Sequence, residues 1–288
     1  MSIRSRKLLL TGIAGHLGHR VAALANDWDL IGSWHFSRPD PSLPGSKLQL
    51  DLCDAHAVRT TISEQRPTAI IHTACSNRSE TSIVPSAHNL ATAAAEHEVR
   101  LVHVSTDSVL DGNHAPYKDD AKPNPLSPYG EAKATAENII LAHCPHSVVV
   151  RTSLIFGTEP LDHQTRWLLT HNTSGEPVYL FTDELRCPIW VNTLAHALLE
   201  LAAGDYTGML NIASPKPINR WEFGVKMLAM LGLKPNPNVR PALQGESDLI
   251  RPSNLTLDVS RAKHQLRTPL TTVDEAIKYI NGGNRPTL

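Results

Sequence analysis

Apolar residues in the first half of the chain fall in short, unbroken runs, and each run is followed by a stretch that suits a helix. Leu8–Leu10, Leu30–Trp34, Ala69–His72, Leu101–Ser105 and Ser147–Arg151 are the predicted strands. His19–Asn26, Ala55–Glu64, the alanine-rich Ala87–His97 and Glu131–His143 are the predicted helices between them. A strand apolar at every position is buried on both faces, which a parallel sheet covered by helices provides. Strand–helix alternation with right-handed crossovers therefore predicts an α/β fold, a doubly wound parallel sheet. The second half is less regular and richer in proline, with helices predicted over Val191–Ala202 and Arg220–Leu231. Residues 1–157 are read as the sheet domain and 158–288 as a smaller lobe folded onto it.

Composition narrows the field. The 288 residues include 27 Lys plus Arg against 28 Asp plus Glu, a formal charge of −1, so bulk charge gives no reason to expect a nucleic acid or an anionic membrane as partner. The basic and apolar start of the chain has the outline of a signal peptide, but Thr11-Gly12 breaks the apolar run at once and no run reaches the length of a membrane span. Cys53, Cys75, Cys144 and Cys187 are scattered, which suits free thiols in a reducing cytoplasm better than a disulfide framework. The 15 histidines supply no ligand set with metal-like spacing, so no metal is expected.

The strand Leu8–Leu10 runs into Thr11-Gly12-Ile13-Ala14-Gly15-His16-Leu17-Gly18, a glycine loop that opens a helix. Glycine closes a tight turn and lets a pyrophosphate approach the backbone, and the helix N-terminus offers free N–H groups. This is the nucleotide-binding beginning of a Rossmann fold. An acid closing the second strand would hold the ribose of NAD. Here that strand ends Ser33-Trp34-His35-Phe36-Ser37-Arg38, with no acid before Asp40. Arg38, with Ser37 and His35, suits the extra phosphate of NADP, so NADP(H) is favoured and NAD(H) stays possible. Asp51-Leu52 is placed beside the adenine.

The strand Leu101–Val104 ends in Ser105-Thr106-Asp107-Ser108, hydroxyls where an open sheet faces its ligand crevice. Further on, Ser127 is a natural N-cap, Pro128 suits the first helical position, and Tyr129 and Lys133 follow four residues apart on one helix face. An ammonium beside a phenol favours the phenolate and makes it a usable acid near neutral pH. Tyr129 would then protonate a carbonyl oxygen that Thr106 orients while hydride arrives.

These residues resemble the extended short-chain dehydrogenase/reductases, in particular the dTDP-4-dehydrorhamnose reductase branch, which also holds the regulatory subunit of methionine adenosyltransferase. The resemblance runs through the glycine loop, Ile71-His72-Thr73-Ala74, Asn89, Ser105 to Gly112, Tyr129 and Lys133 with Glu137, Arg151 to Gly157, and Arg251-Pro252-Ser253-Asn254. It implies hydride transfer between a nicotinamide cofactor and a sugar-nucleotide carbonyl, with Thr106, Tyr129 and Lys133 catalytic. It also implies Thr73, Ala74, Tyr129 and Lys133 at the cofactor, and Thr106, Asp107 and Arg251 at the substrate. Residues 188–213 would return to the sheet domain. Ser108 departs from the tyrosine usual in this branch, and the stretch from Ala74 to Asn89 is short, so the substrate expected is the broader class of keto-sugar nucleotides and related carbonyl compounds. An epimerase of the same fold and a cofactor-binding regulatory subunit are the alternatives. A homodimer is possible, and a cytoplasmic location is expected.

Overall fold

The computed structural model describes residues 6–75, 80–246 and 251–282. The five predicted strands are β1 (Lys7–Thr11), β2 (Asp29–Trp34), β4 (Ala69–His72), β5 (Arg100–Thr106) and β6 (Ser147–Thr152), joined by the unpredicted β3 (Ser46–Gln49) and by β7 (Gly208–Asn211) from the second half. They form one seven-stranded sheet in the order β7-β6-β5-β4-β1-β2-β3, every neighbouring pair parallel. The doubly wound α/β reading holds.

The helices are α1 (His16–Leu24), α2 (Ala55–Gln65), α3 (Glu80–Glu96), α4 (Pro128–His143), α5 (His163–Ser174), α6 (Val191–Ala203), α7 (Arg220–Met230), α8 (Ser260–Gln265) and α9 (Val273–Gly282). The unbroken apolar runs have the expected cause. Leu8, Leu10, Ile71, Val102, Val148 and Val150 point to the face covered by α1 and α6, while Leu9, Ile70, Leu101 and Val149 point to the face covered by α2, α3 and α4. α3 begins well before the predicted start at Ala87 and carries Pro85 inside it. Proline lacks the N–H that a helix interior needs, which is why sequence reasoning starts the helix after it. α1 begins at His16, straight after Gly15, rather than at His19.

Apart from α6 and β7, which belong with the sheet, much of the chain after β6 makes a second layer against the sheet's C-terminal edge. Val178–Phe181 pairs with Val239–Ala242, and Leu168, Val178, Leu180, Leu228 and Val239 form a small core of their own. Residues 251–258 then run back as a strap. Leu255 N–H donates to Leu185 O at 3.1 Å, and Tyr117 N–H donates to Thr256 O at 2.8 Å. Gly112, at φ +86°, lets the strap pass, since a Cβ there would stand 2.7 Å from Pro252 Cβ. Among the described residues no helix is long and apolar enough to cross a membrane, and no group of three His, Cys, Asp or Glu is arranged to hold a metal. All four cysteines are free thiols.

Candidate active site

The sheet order reverses between β1 and β4, and a crevice opens there at the strand C-termini, as such switch points require. Gly12 sits at its base with φ +77°, and a Cβ on it would lie 2.8 Å from the backbone of Ala74. Gly18, in the first turns of α1, lies so close to Gly12 that an added Cβ would stand 2.1 Å from Gly12 O. Gly12 N–H and Ile13 N–H both donate to Ser33 O, at 3.0 and 3.1 Å, which ties the loop to β2. A cavity of about 280 Å³ continues from this loop. Gly12, Asp51, Leu52 and Ala74 line it, together with Ser33, Trp34, Cys53, Ser82 and Ser86. The glycine loop is thus packed as tightly as its backbone allows on the protein side and left open on the other.

At the far side of the crevice, Thr106 closes β5 and caps a 3₁₀ turn at Asp107–Val109, its Oγ1 accepting from Ser108 N–H at 3.1 Å. Ser127 Oγ caps α4 by accepting from Gly130 N–H at 3.1 Å, with Pro128 first in the helix. Tyr129 is half-buried and Lys133 buried on the same face of that helix. Lys133 Nζ donates to Val104 O at 2.7 Å and lies 3.1 Å from His103 Nε2. Burial lowers the Lys133 ammonium from its ordinary range, with Cys75 and Glu137 opposing the shift.

Glu137, one turn further along α4, fixes the helix. Its carboxylate receives Arg151 Nε at 3.0 Å and Nη2 at 2.7 Å from β6, and Ser105 Oγ at 2.6 Å from β5. A buried carboxylate held by three donors cannot shift without exposing an unpaired charge. The helix carrying Tyr129 and Lys133 is therefore locked to the strand carrying Thr106.

Asp107 is buried at the end of β5. Its carboxylate accepts from Ser153 Oγ at 2.7 Å and pairs with Arg186 at 3.3 Å. Arg186 continues to Glu184 at 3.0 Å, and Glu184 faces Arg220 at 3.8 Å and Arg251 at 3.9 Å. Three arginines around two carboxylates leave this cluster, beside Thr106, with one positive charge in excess. The strap positions Arg251 there, its guanidinium 5.7 Å from the Phe181 ring.

Compared with known families, residues 6–281 match the family described as the RmlD substrate binding domain. The chain belongs to that family. Methionine adenosyltransferase 2 subunit beta of Danio rerio is 29% identical over 276 residues, covering 89% of this chain and 84% of the relative. The probable low-salt glycan biosynthesis reductase Agl14 of Haloferax volcanii is 25% identical over 290 residues, covering 94% and 96%. The fold is also that of a dTDP-4-dehydrorhamnose reductase from Bacillus anthracis solved in complex with NADP, with TM-score 0.82, 20% identity, and coverage of 97% of this chain and 100% of that one. The resemblance read in the sequence is borne out at the level of the family.

The residues singled out in the sequence group unequally. Gly12, Gly15, Gly18, Leu17 and His16 gather at the mouth of α1, and Thr73, whose Oγ1 donates to Thr11 O at 2.7 Å, lies beside them with Ala74. Ser37 and Arg38 do not line the cavity. Arg38 instead lies with its guanidinium 5.8 Å from the ring of Trp34, which does. His35 faces Asp51 at 3.6 Å. Sequence reasoning missed Ser33, Trp34 and the first turns of α3, because a lining built from strand ends and a helix hidden behind a proline has no motif. It also left Glu137 without a role, since its partners Ser105 and Arg151 are distant in the chain.

Proposed function

We propose that the protein is a reductase that uses a nicotinamide dinucleotide, preferring NADP(H), to reduce the carbonyl of a keto-sugar nucleotide or a related compound. The observation that carries the reading is Lys133, a buried ammonium one turn from Tyr129 on a helix clamped to the strand end that bears Thr106. The glycine loop fits a dinucleotide, because Gly12 and Gly18 leave no room for a side chain and Gly12 lines the cavity. Gly12, Gly15, Gly18, His16 and Leu17 would hold its pyrophosphate, Asp51 and Leu52 its adenosine end, and Ser37 and Arg38 its extra phosphate. When bound, the cofactor supplies hydride.

The chain's own residues do the rest. Thr106 Oγ1 accepts from Ser108 N–H and makes a long donation to Asp107 Oδ1 at 3.4 Å, which it would exchange for a carbonyl oxygen when substrate binds. Tyr129 delivers its phenolic proton to that oxygen, and the Lys133 ammonium stabilises the phenolate left behind. Arg251, with Arg186 and Arg220 behind it, offers positive charge to an anionic substrate arm, and Asp107 serves by holding Arg186. The lobe from residue 158 and the strap supply this side. The test is NADPH oxidation against keto-sugar nucleotides and simple ketones. Tyr129→Phe is expected to bind NADPH yet lose about 10²–10⁴-fold in turnover. Unchanged turnover in that variant would remove Tyr129 from the chemistry.

A second reading has its own support in the 29% identity to a methionine adenosyltransferase 2 subunit beta. In it the chain binds cofactor and regulates a partner enzyme. NADPH binding without oxidation across the panel, together with a stoichiometric partner, would favour it.

A further inference from the structure

Beneath the Lys133 face of α4 lie two histidines with no part in the scheme above. His72 ends β4 and His103 lies on β5, side by side in register with ring centroids 4.9 Å apart. They are 3% and 1% exposed. His72 Nδ1 is 2.7 Å from Thr11 Oγ1, at the end of β1 and next to Gly12. His103 Nε2 is 3.1 Å from Lys133 Nζ. A buried line therefore runs from the glycine loop through Thr11, His72 and His103 to Lys133.

The chemistry of the last contact is fixed by its partners. An ammonium has only donors, so the nitrogen facing it must be the unprotonated one. His103 then carries its proton on Nδ1, which has no hydrogen-bond partner among the described residues. Burial first, and then the nearby ammonium, lowers both imidazoles far enough to keep them neutral: His72 to about 3, and His103 well down as well. With Val104 O taking a second proton, the protein uses two of the three donors on Nζ. The other charged or titratable groups near Nζ are Cys75 in the loop after β4, and Glu137 and Tyr129 on α4 itself. Glu137 is itself paired with Arg151.

We propose that His103 is a positioning residue for Lys133. It accepts one hydrogen bond from the ammonium and, with Val104 O, leaves a single N–H directed to the Tyr129 side of the crevice. The proposal rests on the reductase reading and adds to it a residue that touches neither substrate nor cofactor.

The experiment is the pH profile of kcat for NADPH-driven reduction by the whole chain. His103→Leu removes the acceptor and makes the ammonium harder to keep charged. The alkaline limb is then expected about one pH unit lower, with kcat about tenfold down on that limb, the size of one hydrogen bond to a charged group. KM for NADPH stays near its original value. His103→Gln, whose amide oxygen reaches the place of Nε2, returns the limb. A limb that stays in place while kcat drops equally at every pH would overturn the proposal. The imidazole ¹⁵N spectrum of the unmodified protein, assigned by the signal lost in His103→Gln, needs neither substrate nor a folded Leu variant. A bare Nε2 and a proton on Nδ1 are expected, and a proton on Nε2 would overturn the proposal. Tyr129→Phe separates the two levels. Normal turnover there sinks the reductase reading, whereas lost turnover with an unmoved His103→Leu limb sinks only the role of His103.

Discussion

Replacing Glu137 by glutamine keeps the size of the side chain and removes its charge. Glu137 and Arg151 are 1% and 2% exposed, and the guanidinium would be left with Ala121 O, at 2.7 Å, as its remaining backbone acceptor. Breaking a buried pair by removing one partner costs about 3–5 kcal/mol, and a glutamine that still accepts one hydrogen bond places the cost near the lower figure. For a chain of this size each kcal/mol moves the melting temperature by about 2–4 °C, so a fall of roughly 6–12 °C is expected by calorimetry. Arg151→Met strands the carboxylate instead and should cost about as much. Glu137→Gln/Arg151→Met has no buried charge left over and should recover most of the loss, so the two single effects will not add. Turnover in Glu137→Gln, assayed well below its melting temperature, should also fall, because the same helix carries Tyr129 and Lys133. A melting temperature within about 2 °C of the original, or a double variant whose loss equals the sum of the singles, would refute the clamp.

Two further predictions concern cofactor and pH. Arg38→Ala should weaken NADPH binding about 10–100-fold by calorimetry, the value of a charge-assisted hydrogen bond or two, and leave NADH binding nearly unchanged. Equal losses would show that Arg38 does not read the extra phosphate. His72 and His103 are held neutral by burial in the folded chain, with His72 at about 3, but take up a proton near 6.5 once unfolded. The unfolded state then binds more protons, so stability is fully present above roughly pH 6.5 and falls by about 1.4 kcal/mol per unit per histidine as pH drops below it. Melting temperatures measured downward from neutral pH should decline, less steeply in His72→Leu. A flat profile down to about pH 5 would contradict the neutral pair.

What could be read from the sequence followed the range of the interactions. The strands were legible because Leu8 to Leu10 and Val148 to Val150 are apolar at every position, a pattern that burial on both faces imposes. The start of α4 was legible because Ser127 and Pro128 signal a helix N-terminus locally. The glycine loop was legible for the same reason, its packing being settled within a few residues. β3 was not predicted, since an edge strand with Ser46 and Lys47 carries little apolar signal. The role of Glu137 was invisible because Ser105 and Arg151 lie 32 and 14 positions away in sequence. The pairing of Asp107 with Arg186 joins the sheet to the second layer, and no periodicity foretells such a contact.

The late arrival of β7 also bears on how the chain is made. Synthesis proceeds from the N-terminus at about 5–20 residues per second, and β6 is complete at Thr152 while its outer partner begins at Gly208. For roughly three to eleven seconds the nascent sheet therefore presents Val148, Val149 and Val150 along an open edge of unpaired backbone groups. During that interval the open edge can pair with a neighbouring polypeptide on the same message. It closes when Gly208–Asn211 docks, and the strap follows only after another stretch of translation. Aggregation during expression is thus a matter of elongation rate through the second layer as much as of the stability of the finished molecule.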